Sequence, residues 1–377
     1  MKVSSFIRDD GACSYYRIKL PLSVCEKNNN IKAMYIEKGD NSDFIETKLA
    51  GADIVIVPRP SDIHMLKVIN VLKEMGKKII VDHDDNIFRI SPLSPHYEDY
   101  GIENVEMKMS DGSVLKVWEN GRNINLSKNK RKMGYSEEIM KIADMITVTT
   151  SILAETYKIY NKNIKALPNC IDTNIWQKLP LEKHEEIRLF WAGGASHYQD
   201  WCLLSDVLPE IMNKYSNVKL IILGSKFDGT LKMCPKNRVE HYPWVNTMVY
   251  PYKIAILDPD IAIIPLEDNE FNRCKSAIKW VEMGSIGVPS VTSYVSPYKE
   301  INENNNGIFI ENNDKDAWIE GISYLIENRE KRIEIGNNAK EYVYQNFDIH
   351  KKYIEWVKVY KDLTGGKDGN SNCTNIN

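Results

Sequence analysis

A chain of 377 residues, 43% hydrophobic and 27% charged, is long enough for two ordinary domains, each with its own core. A formal net charge of −3 argues against a surface built to coat nucleic acid. Seven cysteines, an odd number with no Cys-x-x-Cys, give neither a disulfide framework nor a zinc site, and no apolar stretch approaches the ~18 residues of a membrane span. The expectation is free thiols and a cytoplasmic protein with no integral membrane segment. Residues 1–7 lack the apolar core of a signal peptide and read as a first strand.

From that strand, at 3–7, the chain enters a glycine loop at Gly11 and a helix predicted over 15–27. Apolar runs follow at 31–36, 53–57, 78–82 and 145–148, with a helical pattern at 62–75. Strands separated by helices imply parallel βαβ units and a doubly wound sheet. Between about 91 and 132 this alternation breaks, and 105–118 alternates around Asp111-Gly112 as a β-hairpin does. We read 93–132 as an insertion on the ligand side of the sheet, with the basic run 128–132 as solvated loop. Pro168 and Asn169 break the pattern again and mark a boundary. The second half repeats the theme, with runs at 189–192, 218–223, 260–264, 288–291 and 307–310 and a helix at 201–215. Helical patterns at 316–328, 330–344 and 348–363 close the fold, and the Gly/Asn/Ser-rich tail 365–377 reads as disordered.

Four segments carry candidate chemistry. Residues 271–293 place a helix start after a strand and a polar loop, an arrangement whose unpaired N–H groups and dipole favour an anion. On a continuous helix Lys275, Lys279 and Glu282 share one face, which suits a diphosphate with a ribose; a solvated face with a Lys279–Glu282 pair is the plainer reading. Gly193 and Gly194, followed by Ser196 and His197, let backbone N–H groups approach a phosphate, or serve close packing. Asp82-His83-Asp84-Asp85-Asn86 ends a strand, where parallel sheets bind ligands. Asp82 and Asp84 holding a divalent cation, a cap on the next turn, and an acceptor-side cluster are its three readings. Gly11, Tyr16 and Arg17 fill the first strand-to-helix loop, and Arg59 follows another strand.

The segment 280–293, with Glu282, Gly287-Val-Pro289 and Ser293, resembles the signature of the group 1, family four retaining glycosyltransferases of GT-B fold. Pro168-Asn169-Cys170-Ile-Asp172 resembles that family's linker motif, with Cys170 in place of glycine. Where the family has a second Glu, eight residues before the first, this chain has Cys274; Asn272, Lys275 and Ser276 match a subgroup with Asn-x-x-Lys-Ser, which also carries Asp-x-Asp-Asp. The resemblance implies two Rossmann-like domains facing across a cleft: an acceptor-side domain at 1–166, a nucleotide-sugar domain at 167–346, and a helix at 347–364 crossing back. It implies Glu282 on the donor ribose, and Gly193, Gly194, Ser196, Lys275 and Ser276 around the donor. His83, Asp84 and Lys275 then serve catalysis, and Gly11, Tyr16 and Arg17 lie between donor and acceptor. The expected reaction moves a sugar from a nucleotide-diphosphate donor to an acceptor hydroxyl, with retention and with neither metal nor cofactor. The acceptor is left open among a glycan, a lipid-linked sugar, a protein and a modified nucleic-acid base. A sugar-nucleotide epimerase and a non-catalytic sugar-nucleotide-binding protein are the alternatives.

Overall fold

The computed structural model describes residues 1–103, 105–108, 112–116, 124–182 and 184–365. Its first half contains strands β1 (Lys2–Phe6), β2 (Lys32–Ile36), β3 (Ile54–Pro58), β4 (Lys78–His83), β5 (Glu106–Lys108), β6 (Val114–Lys116), β7 (Met145–Val148) and β8 (Ile164–Ala166). Six of them form one parallel sheet in the order β2-β1-β3-β4-β7-β8. The central strands are apolar on both faces, as helices covering both sides of a sheet require, and β3 is buried from Ile54 to Val57. Strand β8 was not anticipated: it has three residues, lies at the sheet edge and is half exposed, so no apolar run announces it.

The expected hairpin is present, with β5 and β6 antiparallel and Glu106 opposite Lys116. Its tip at 109–111 and Trp118 lie outside the described residues, as does most of the tail, 366–377. The basic run 128–132 is not loop. It lies in the helix Leu126–Ile142, which starts where the Asn125 side chain accepts the Lys128 N–H at 2.9 Å. Asn129, Met133, Ser136, Ile139 and Met140 form its buried face; Lys128, Lys130 and Arg131 point outward, while Lys132 is half-buried and pairs with Asp99.

The second half holds β9 (Ile187–Gly193), β10 (Val218–Gly224), β11 (Val239–Tyr242), β12 (Ile261–Ile264), β13 (Ser290–Ser293) and β14 (Ile308–Ile310), all parallel, in the order β11-β10-β9-β12-β13-β14. The helix expected at 201–215 is broken into Tyr198–Cys202 and Val207–Lys214. Each sheet reverses its strand order once, beside β1 and β3 in the first and beside β9 and β12 in the second. Those are the crevices where doubly wound sheets receive ligands.

Two crossings join the halves side by side. The Ile171 N–H donates to the Phe347 carbonyl at 3.0 Å, and the Ile349 N–H to the Ile171 carbonyl at 2.9 Å. The last helix, Ile349–Thr364, then returns to the first half, where Trp356, Val357, Val359 and Tyr360 share a buried cluster with Val3, Leu22 and Cys25. The family resemblance implied this return. Among the described residues no helix is long and apolar enough to cross a membrane.

Candidate active site

A cavity of about 300 Å³ lies between the two switch points. The second half contributes Gly193, Gly194 and Ser196 from the turn after β9, and Lys275, Ser276, Lys279 and Glu282 from the segment after β12. Gly193 is required sterically: a Cβ there would lie 2.7 Å from Trp191 Cζ2 and 3.2 Å from Lys279 Nζ. The short turn Ala195–His197 and the helix Ile278–Ser285 both begin without a side-chain cap, which leaves their first N–H groups available.

The helix predicted to run on from 271 is interrupted. It comprises Glu270–Arg273 and Ile278–Ser285, so Lys275 and Ser276 sit in the intervening turn and the three-residue helical face does not exist. Lys279 and Glu282 do share a face of the second helix, and the turn still brings Lys275 to the same cavity. Lys275 Nζ lies 4.7 Å from the Phe271 ring centroid, and Lys279 Nζ 5.6 Å from that of Trp191. Neither lysine forms an ion pair with any described carboxylate. Enclosure, and then the neighbouring Lys275, pull the Lys279 ammonium down to about 8. Enclosure and the two lysines also push His197 down to about 3. The neutral imidazole donates Nδ1–H to Asp200, at 2.8 Å, whose other oxygen accepts from Asn272 at 2.8 Å.

Glu282 is buried and faces tyrosines from both halves. Tyr16 donates to its Oε1 at 2.7 Å and Tyr250 to its Oε2 at 3.4 Å. Burial lifts the carboxyl to about 7, although these donors and Lys279 oppose the rise. Tyr16 reaches it through a π-helical turn, Tyr15–Lys19, inserted in the first long helix. The same turn aims Arg17 inward, but not into the cavity. Arg17 forks onto Asp82 at 3.0 and 2.7 Å and also donates to the Leu167 carbonyl and to Asn169 Oδ1. Asn169 in turn donates to Ser276 Oγ at 3.0 Å, so a chain of polar contacts, buried at Arg17 and Asp82 and part-buried at Asn169 and Ser276, ties β4 to the linker and the second half.

The acidic run at the end of β4 is likewise committed. Asp82 also accepts from Thr147 at 2.7 Å, and Arg59, held at φ 44°, pairs with Asp84 and Asp85. Burial raises Asp84, but the Arg59 guanidinium outweighs it and holds the carboxyl well below the usual range. Asp82 and Asp84 thus face arginines rather than one shared cation site. His83 is wholly buried, packs edge-on against Tyr157, and leaves both ring nitrogens without a partner. It does not line the cavity, and burial holds it neutral with a pKa of about 3. Cys274 also turns away. Its thiol lies 3.8 Å from Asn86 Nδ2 and from Thr156 Oγ1, within the first half's core.

Residues 172–342 match the family model described as glycosyl transferases group 1. The second half of the chain is thus similar to a group 1 glycosyltransferase domain. An uncharacterised glycosyltransferase of Methanocaldococcus jannaschii is 29% identical over 244 residues, 58% of this chain and 59% of that protein. The chain thus matches little more than half the length of that curated relative. Two solved structures share the whole architecture at 12% identity. Sucrose-phosphate synthase of Thermosynechococcus elongatus has a TM-score of 0.64 over 97% of this chain and 100% of its own, and Anabaena HepE in complex with UDP and glucose has 0.65 over 96% and 100%. The fold is therefore GT-B.

In this GT-B fold the cavity gathers Tyr16, Asp84, Gly193, Gly194, Ser196, Lys275, Ser276 and Glu282. Gly11, Arg17 and His83 stay outside its lining. The sequence reading missed Arg8, Tyr100, Trp244 and Tyr250, which also line it. Arg8 follows β1 at a strand's carboxyl end and was legible on that ground. Trp244 follows β11, whose pattern Val-Glu-His-Tyr is too polar to read as a strand.

Proposed function

We propose that the protein transfers a sugar from a nucleoside-diphosphate sugar to an acceptor hydroxyl, with retention and without a metal ion. One observation carries the reading: two lysines without carboxylate partners meet the glycine turn and an uncapped helix start in one cavity between the switch points. Such a site is built for a diphosphate, since charge, dipole and backbone donors converge on it. Glu282, deeper in the cavity, accepts the ribose hydroxyls. In the transfer, the bond between the anomeric carbon and the diphosphate oxygen breaks, and its electron pair stays on the oxygen. Lys275 and Lys279 stabilise the charge that develops there. The acceptor oxygen attacks the same face of the carbon, and its proton passes to the leaving phosphate oxygen. Asp84, fixed by Arg59, remains an anion near the acceptor and supports positive charge at the anomeric carbon.

The pH dependence follows from Lys279. Its free-state pKa of about 8 rises when a diphosphate supplies the missing counter-charge, so binding takes up a proton between the two values. Affinity for the nucleotide sugar is expected to fall by up to about tenfold per pH unit above pH 8. Calorimetry in buffers of different ionisation enthalpy measures the uptake directly; an affinity flat from pH 8 to 9.5 contradicts the assignment.

Glu282→Gln removes the anionic acceptor and is expected to weaken UDP-, ADP- or GDP-glucose binding by about 10- to 100-fold. A loss of that size for ribonucleotide donors, with little effect on a 2′,3′-dideoxy analogue, supports the ribose contact. An equal loss for both ligands contradicts it.

A further inference from the structure

Glu282 belongs to the second domain, yet its strongest hydrogen bond comes from the first. Tyr16 Oη sits 2.7 Å from Glu282 Oε1, and both groups are buried. The second-domain donor, Tyr250, is longer at 3.4 Å, and Tyr250 is itself braced by stacking on Trp244, with ring centroids 5.1 Å apart. Tyr16 is delivered by the π turn, whose next residue, Arg17, is locked to Asp82, Leu167 and Asn169. The tyrosine is therefore held by a buried network, on a turn geometry that an ordinary helix does not give. A carboxylate oxygen accepts more than one donor, so the Tyr16 bond fixes the plane of Glu282 while leaving acceptor capacity for a ribose hydroxyl.

We infer that Tyr16 is a positioning residue by which the acceptor-side domain completes the donor's ribose site, orienting Glu282 and favouring its charged form against burial. This rests on the donor reading above. It means that the second domain alone holds the diphosphate but recognises the ribose poorly, so ribose recognition is coupled to domain closure. The charged and titratable groups facing Glu282 are Tyr16 from the first domain, Tyr250 and Tyr298 from the second, and Lys279 on its own helix. Of these, Tyr16 is the largest contributor holding the carboxyl down against burial.

The sign of the test follows. Binding through an anionic Glu282 strengthens as pH rises through the carboxyl's free-state value, about 7. Tyr16→Phe removes a donor to the charged form, so that rising arm moves to higher pH by about one unit, and affinity falls about five- to sixfold at pH 7 and about tenfold well below it. The measurement is the dissociation constant of UDP-, GDP- and ADP-glucose from pH 5.5 to 9 on the full chain, for wild type, Tyr16→Phe and Tyr250→Phe. The variant-to-wild-type ratio cancels the ligand's own ionisation. A larger upward displacement for Tyr16→Phe than for Tyr250→Phe, with the fall above pH 8 unchanged, is the expected result. A uniform loss at every pH, which a merely structural tyrosine would give, overturns the inference, as does an unmoved profile. Binding of none of the three nucleotide sugars by wild type overturns the donor reading itself, a separate outcome.

Discussion

Lys279→Ala is expected to weaken nucleotide-sugar binding by about a hundredfold or more, near 3 kcal/mol, while leaving the fold as stable as before or slightly more so. The two signs follow from one fact. Lys279 is enclosed beside Lys275 and has no carboxylate partner, so the free protein holds its charge at a cost, and the ordinary lysine pKa falls to about 8. Removing the ammonium relieves that cost and deletes the charge-assisted bond to the diphosphate. Lys275→Ala should lose affinity too, and the pair should be non-additive because both ammonium groups act on one anion. Titration calorimetry and thermal unfolding on the same preparations read the two effects. A drop in melting temperature with unchanged affinity would make Lys279 a structural residue and contradict the site.

The largest effect on stability belongs to Arg17. Its side chain and that of Asp82 are 2% and 5% exposed, so Arg17→Ala leaves a carboxylate buried with only Thr147, among the described residues, as a donor. Losing one partner of such a pair costs about 3–5 kcal/mol, a large share of the roughly 5–15 kcal/mol that holds a typical native protein together. We expect a fall in melting temperature, or failure to accumulate as folded protein. The double variant Arg17→Met with Asp82→Leu should recover much of the loss, since no charge is then stranded. The Asn169 to Ser276 contact loses its anchor in both variants, so catalysis should stay impaired in the double variant even where folding recovers. If Arg17→Ala is as stable as wild type, the buried network does not hold the domains as described.

The alternation of apolar runs with helical patterns made the doubly wound architecture readable, because parallel strands buried on both faces must be continuously hydrophobic. It hid β8 and β11, which are short edge strands with polar residues. The glycine turn and the lysines that line the cavity were singled out because glycines before a turn, and lysines after a strand, carry their chemistry in their identity. The π turn was not legible, since residues 15–19 keep a helical composition while the backbone widens by one residue. That local change decides that Tyr16 faces the cavity while Arg17 faces Asp82. Likewise the burial of His83 and the pairing of Asp82, on β4, and Asp84, just past its end, with different arginines depend on which elements pack against each. A run of five polar letters fixes the alternation but not what waits on either side. Cys274 stands where the resembled family has a glutamate. Its thiol, packed against Thr156 and Asn86, shows that the position here belongs to the domain junction.

The most direct measurement of the account is the release of free nucleoside diphosphate from UDP-, GDP-, ADP- and TDP-glucose, with EDTA present, by wild type and Lys279→Ala. One donor hydrolysed slowly by wild type, at least about tenfold slower in the variant, is the predicted result. Turnover that requires a divalent ion, or equal rates in both proteins, would contradict a metal-independent transfer site built on the paired lysines.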